Sequence, residues 1–150
     1  MRLVIQRVSH ASVSISGAEH SAIGAGLLVF LGITHGDTAD DLEWLCTKLL
    51  SMRIFADNEG KMNLDVMQAG GDVLVVSQFT LHASTRKGNR PSFVASAPPA
   101  IAQPLYASFV ARVSKLMQKP CHSGVFGADM QVRPVNNGPV TILVDSRNRE

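Results

Sequence analysis

Hydrophobic and polar positions alternate at the start of the chain. Residues 2–8 (Arg-Leu-Val-Ile-Gln-Arg-Val) and residues 11–16 (Ala-Ser-Val-Ser-Ile-Ser) both repeat with period two and are rich in β-branched types. They predict two strands, each with one solvated face. Residues 25–33 form a continuous apolar run, which predicts a central strand buried on both faces. The period then changes. In residues 37–53, Leu42, Trp44, Leu45, Cys46, Leu49 and Met52 recur at helical spacing, with Asp37 or Thr38 as cap and Asp40, Asp41 and Glu43 near the positive end of the dipole. Asp57-Asn58-Glu59-Gly60 reads as a turn.

Residues 72–79 predict a further strand, and 85–91 a polar, basic loop. Pro98, Pro99 and Pro104 mark the start of a second helix, whose expected core face is Leu105, Phe109, Val113 and Leu116 or Met117. Pro120 ends it. Residues 125–135 and 139–145 predict two last strands around an Asn-Gly-Pro turn. The order is β-β-β-α-β-α-β-β, without regular βαβ alternation. That predicts an α+β fold, a mainly antiparallel sheet or barrel with two main helices.

Length and composition sharpen this picture. The chain has 150 residues, 45% hydrophobic and 17% charged, which predicts one globular domain over 1–150. Such a chain buries roughly two-thirds of its unfolded surface without needing a disulfide or structural metal. The N-terminus lacks the long apolar stretch of a signal peptide, and no run is long enough to span a bilayer. Cys46 and Cys121 form no CxxC pair and read as packing residues in a reducing cytosol. The expectation is a cytoplasmic protein with no membrane attachment.

Candidate chemistry is defined first by exclusion. There is no dinucleotide fingerprint, Walker A sequence, GxSxG elbow or HExxH, and the five histidines are scattered. No cofactor and no metal are expected. The net charge of +2 is not the footprint of a strongly basic nucleic-acid protein. It is compatible with one that grips only an RNA end. Arg86, Lys87 and Arg90 cluster in one loop, and Arg112, Lys115 and Lys119 lie on or after the second helix. Such cations can engage phosphates, although most surface cations are simply solvated.

Two segments stand out. Ser77-Gln78-Phe79-Thr80 ends an apolar strand, and alternation sets Ser77 and Phe79 on one face and Gln78 and Thr80 on the other. An ordinary strand end would look the same. Asn136-Asn137-Gly138-Pro139-Val140-Thr141 is read as a hairpin turn. Its X–Pro bond is one that can be cis, and its glycine lets another group approach the main chain.

Ser77-Gln78-Phe79-Thr80 is similar to the SQFT motif of the bacterial-type D-aminoacyl-tRNA deacylases. Asn136-x-Gly138-Pro139-x-Thr141 resembles their NxGPxT motif. The likeness extends through residues 1–2 and 6–9, Asn63-Leu64, 85–88, 90–93, 126–130 and 143–147. It implies hydrolysis of the ester of D-aminoacyl-tRNA, with the acceptor end of the tRNA as partner, in a homodimer. It further implies that Gly138-Pro139 of one subunit is cis and enters the site of the other, where it excludes L side chains. Two equivalent sites follow from the two-fold axis. Exclusion of this kind cannot reject glycine, so glycyl-tRNA is an expected substrate.

The resemblance also implies a site built largely from main chain, in which the terminal 2′-OH of the tRNA assists. Amides near Phe79 and Thr80 are candidates for an oxyanion hole. Thr80 is a nucleophile or, preferably, orients the water. Ser77 and Gln78 shape the pocket, and Phe79 and Met130 pack against the terminal adenosine. From the cation cluster itself, Arg86 and Lys87 are the candidate tRNA contacts. At position 82 the family commonly has a tyrosine, so no role passes to His82, nor to the Cys121-His122-Ser123 segment. Two other readings compete: an editing enzyme of the same fold that removes L-amino acids, and a non-catalytic binder of tRNA ends.

Overall fold

The computed structural model describes residues 1–149. Strands β1 (Arg2–Ile15), β2 (Ala18–Ile23) and β3 (Gly26–Gly32) are followed by helix α1 (Ala39–Ser51) and the small hairpin β4 (Phe55–Ala56) and β5 (Met62–Leu64). Then come β6 (Asp72–Ser77), a 3-10 turn (Phe79–His82), helix α2 (Pro99–Met117), β7 (His122–Ser123) and β8 (Met130–Asp145). The main sheet runs β2-β1-β3-β6-β7, with β8 also paired to β1. β3–β6 and β6–β7 are parallel and the other pairs antiparallel. The α+β class and two-helix, barrel-like layout match the expectation, with a sheet more mixed than the pattern predicted.

The two strands expected at the start are one. Leu3 and Ile5 are buried, then Val8, then Ala11 and Val13, so the inward phase slips between residues 5 and 11. The structure absorbs each slip with irregular register against β8 around Val8. A bulge shifts phase without ending a strand. The second strand is instead β2, which the alternation did not reveal; its first half is exposed.

β3 and β6 are buried on both faces, as the apolar run predicted for β3. Leu27, Val29, Leu31, Val73 and Val75 face a core shared with Leu45 and Leu49 of α1 and Phe109 and Val113 of α2. Leu28, Leu74 and Val76 face a second core with Val8, Ala11, Val13 and Ile23, inside the curled sheet. Helix α1 starts at Thr38, whose backbone N–H donates to the Asp41 carboxylate at 2.9 Å. On α2 the buried stripe is Ala102, Tyr106, Phe109, Val113 and Met117. Leu105 and Leu116 sit at its margin, because Tyr106 turns inward to hydrogen-bond the carbonyl of Val75 at 2.8 Å.

The termini meet in the core. The fully buried Met1 ammonium pairs with Asp37 at 2.8 Å and also donates to Ser146 at 2.9 Å. A buried ion pair needs such added partners to offset its desolvation. Among the described residues no helix is long and apolar enough to cross a membrane.

Candidate active site

β6 stops at Ser77, and the chain turns at once into the Phe79–His82 turn. The continuous strand expected through Phe79 is therefore a correction. The turn is held from three sides. The amide of Gln78 donates to the carbonyl of Leu31 at 2.8 Å. The hydroxyl of Ser96 donates to the carbonyl of Phe79 at 2.8 Å. Below, Gly32 admits close approach: a Cβ there would stand 2.8 Å from Leu81 Cβ and 3.0 Å from the carbonyl oxygen of Gln78. Because the strand ends, the alternating-face argument for Ser77 to Thr80 does not hold.

Beside this turn opens a cleft of about 660 Å³. Its floor is apolar, from Leu31, Ile33, Val76, Ala97 and Ala102, and Ser77, Gln78 and Ser96 line it with polar groups. Phe126 to Met130 form the opposite wall. That wall departs from the strand expected over 125–135. Gly127 has φ +76°, the amide of Ala128 donates to Val125 at 3.2 Å, and β8 begins only at Met130. Tyr106 braces it from inside, with its ring 5.8 Å from that of Phe126. Burial pushes the Tyr106 phenol up to about 12, so it stays a neutral strut.

At the mouth, Phe79 is 55% exposed and meets Phe93 edge-on at 5.2 Å. Exposed rings so held offer a base a stacking surface. Of the lining residues only Asp129 is ionisable. Phe79 and Thr80 open the turn, so their amides have no acceptor within it. Among the described residues no group of three or more His, Cys, Asp or Glu could hold a metal ion.

A family model described as D-Tyr-tRNA(Tyr) deacylase matches residues 4–145. The chain belongs to that family. The D-aminoacyl-tRNA deacylase of Akkermansia muciniphila is 58% identical over 150 residues, with both chains covered completely. That of Parabacteroides distasonis is 54% identical over the same length and coverage. Among solved structures, a c-Myc DNA Unwinding Element Binding Protein superposes with TM-score 0.93 at 42% identity, covering 97% of this chain and 98% of that one. A "probable eukaryotic D-amino acid tRNA deacylase" gives TM-score 0.81 at 19% identity over 95% and 97% of the two chains, a likeness of fold alone. Deacylases of this family are hydrolases of the aminoacyl ester bond.

Within this deacylase fold, the cleft gathers Ser77, Gln78, Phe79 and Met130. Met130 is placed by Gly124, where a Cβ would come within 2.5 Å of its sulfur. Thr80 shares the turn but is not a lining residue; its hydroxyl accepts a hydrogen bond from the Gln78 side chain. Arg86 and Lys87 lie on the exposed 85–91 loop, whose neck is closed by paired backbone bonds between Ser84 and Ser92 at 2.8 and 2.9 Å.

Gly138 and Pro139 are exposed and stand apart from the cleft. They do not form the expected hairpin turn. β8 runs through them, with a cis Gly138-Pro139 bond. Gln6 pairs with Thr141 and Val8 with Asn136, so residues 137–140 bow out opposite Arg7 alone. Arg7 pairs with Leu27, four residues before Leu31 on β3, which is roughly 13 Å along the strand from the cleft floor. Phe93, Ser96, Phe126 and Asp129 are cleft residues that sequence reasoning did not assign. Their spacing carries no signal, because they come from loops that only the tertiary fold brings together.

Proposed function

We propose that residues 1–150 form one catalytic domain that hydrolyses the ester between the terminal ribose of tRNA and a D-aminoacyl or glycyl group. It rejects L-aminoacyl groups sterically and acts in the cytoplasm as a homodimer, with Gly138-Pro139 of a second copy closing each cleft. The carrying observation is the cleft beside Gln78 and Phe79, which has one ionisable lining residue and no histidine, cysteine or lysine. An aminoacyl ester is already activated, so a site of this kind needs to place a water and receive charge.

The water oxygen adds to the ester carbonyl carbon, and the carbonyl oxygen becomes an oxyanion facing the amides of Phe79 and Thr80. One such donor is worth about 10²- to 10³-fold in rate. Collapse breaks the bond to the ribose oxygen, which takes up a proton. The amino acid leaves as a carboxylate, and a second proton goes to solvent. The neighbouring ribose hydroxyl is positioned to relay the first proton. Thr80, held by Gln78 outside the cleft lining, steadies the turn that places the water. Phe79 and Met130 receive the terminal adenine.

The placement of Gly138 and Pro139 supports the dimer. They are exposed and remote from the cleft of their own chain, and Val135 and Leu143 beside them on β8 are 56% and 65% exposed. An apolar strand face of this sort suits an interface. Main-chain groups of Gly138 and Pro139 entering from a second copy would meet the α-amino group and leave room for hydrogen but not for an L side chain.

The test is the initial deacylation rate of D-tyrosyl-, L-tyrosyl- and glycyl-tRNA at catalytic enzyme. Loss of the D and glycyl esters alone supports the reading. Loss of the L ester as well points to a general editor, and loss of none to an RNA-end binder. Sedimentation should show a dimer; a fully active monomer would remove the cross-copy gate.

A further inference from the structure

A second groove, about 730 Å³, lies behind the wall that carries Phe79, and Arg2, His82, Arg86, Asp145 and Arg147 line it. The 3-10 turn and the 95–96 segment are the partition: Phe79 and Ser96 face the cleft, His82 and Ala95 the groove. Its charge is lopsided. Three guanidinium groups oppose one carboxylate, that of Asp145, already paired with Arg2 at 2.7 Å. Arg147 donates to the carbonyl of His35 at 2.6 Å and lies 3.1 Å from Asp37. Among the described residues Arg86 has no hydrogen-bond or ion-pair partner, nor do Lys87 and Arg90 on the same loop. The Ser84–Ser92 neck fixes that loop at the groove's edge. The wall also holds an unpaired polar atom, the buried Nε2 of His82.

We propose that this groove binds backbone phosphates of the RNA strand whose 3′ end occupies the cleft, two or three nucleotides before the terminal adenosine. The inference rests on the tRNA reading above and adds where the strand runs. The spacing follows from the partition. A four-residue 3-10 turn rises about 2 Å per residue, or about 8 Å in all. A stacked strand advances about 3.4 Å per nucleotide. The arginines come from three separate elements, the start of β1, the 85–91 loop and the segment after β8. They line an open groove, which suits a run of phosphates better than a single small anion. Guanidinium forks match phosphate oxygens in geometry as well as charge.

Binding of a fluorescent, uncharged RNA hairpin with a single-stranded 3′-ACCA end tests this. Wild type, Arg86→Glu, Lys87→Glu and the remote control Lys61→Ala are titrated between about 50 and 200 mM salt. Arg86→Glu and Lys87→Glu should each weaken binding about tenfold and flatten the log–log salt slope by about 0.7; Lys61→Ala should match wild type. Wild-type affinity and slope in Arg86→Glu would overturn the groove. A second readout is kcat/KM on D-aminoacyl-tRNA divided by that on D-aminoacyl-adenosine, which has no stem. Arg86→Glu should lower that ratio about tenfold. If wild type cleaves both esters and the variant keeps the wild-type ratio, the groove proposal fails. If wild type cleaves neither ester but the binding results hold, the catalytic reading fails and the groove stands.

Discussion

Arg7 holds the main chain of Asn137: its Nε donates to the Asn137 carbonyl at 3.0 Å. The same guanidinium donates to the carbonyl of Ile54, so it ties the outward bow of β8 to the segment after α1. It also packs beside Gly138, where a Cβ would stand 3.1 Å from its Nη2. Arg7→Ala should leave Gly138 and Pro139 poorly positioned and lower the ratio of D- to L-tyrosyl-tRNA deacylation by about tenfold, the worth of a charge-assisted hydrogen bond. Arg7→Lys should not restore the ratio, because an ammonium cannot span two carbonyls as a fork does. A D-to-L ratio unchanged in Arg7→Ala would detach this clamp from the chiral filter.

Thr80 is engaged by the Gln78 amide and lies outside the cleft lining. If the main chain receives the charge, Thr80→Ala loses one neutral hydrogen bond, and kcat stays within about tenfold of wild type. Single-turnover rates on D-tyrosyl-tRNA measure this. Abolished turnover with normal substrate binding would restore Thr80 as a nucleophile.

Gly32 sets the height of the 3-10 turn above β3. An added Cβ meets Leu81 Cβ and the Gln78 carbonyl oxygen, neither of which is the far end of a flexible side chain. Gly32→Ala should displace the amides of Phe79 and Thr80 and reduce kcat about 100-fold, the usual consequence of a 1 Å misplacement. Overpacking should also destabilise the fold by about 1–3 kcal/mol. Denaturant melts beside kinetics separate the two effects. Full activity with lowered stability would mean that the turn is not the catalytic platform.

His82 carries a pH dependence of stability. Burial holds its imidazole below the ordinary value of 6.5; the nearby Gly32 main chain opposes that shift, and the Arg2 charge reinforces it. As pH falls below about 6.5, the unfolded chain takes up a proton that the folded chain refuses. Stability therefore declines from near 6.5 down to the lower folded-state value, and flattens below it. His82→Gln should remove this slope. Urea midpoints across that range are the check, and an equal slope in both proteins would assign it elsewhere. Asp145, lowered beside Arg2, acts in a separate window, from its ordinary 3.8 downward.

Local pattern was enough for much of the frame. The apolar run of β3, the helical stripe of α1 and the prolines around α2 each commit a segment by themselves, because burial on two faces, one face or one stripe writes a different period. Both motifs were readable, and so was the basic loop. What the pattern could not carry was continuity. A slip in alternation near Val8 and an Asn-Gly-Pro sequence both look like strand ends. In the structure β1 and β8 run through them, because each supplies the other's hydrogen bonds on either side of the irregularity. The end of β6 at Ser77 was hidden for the converse reason, since no glycine or proline breaks the sequence between its apolar run and Phe79, but contacts from Gly32, Leu31 and Ser96 bend the chain. The sequence by itself thus determined the two helices, the buried strand β3, the α+β class and the family. Tertiary structure alone decided which loops make the cleft, that Gly138 and Pro139 stand away from it, and that three distant arginines share one groove. Those are facts of long-range packing, and no local period encodes which surfaces the closing sheet will bring together.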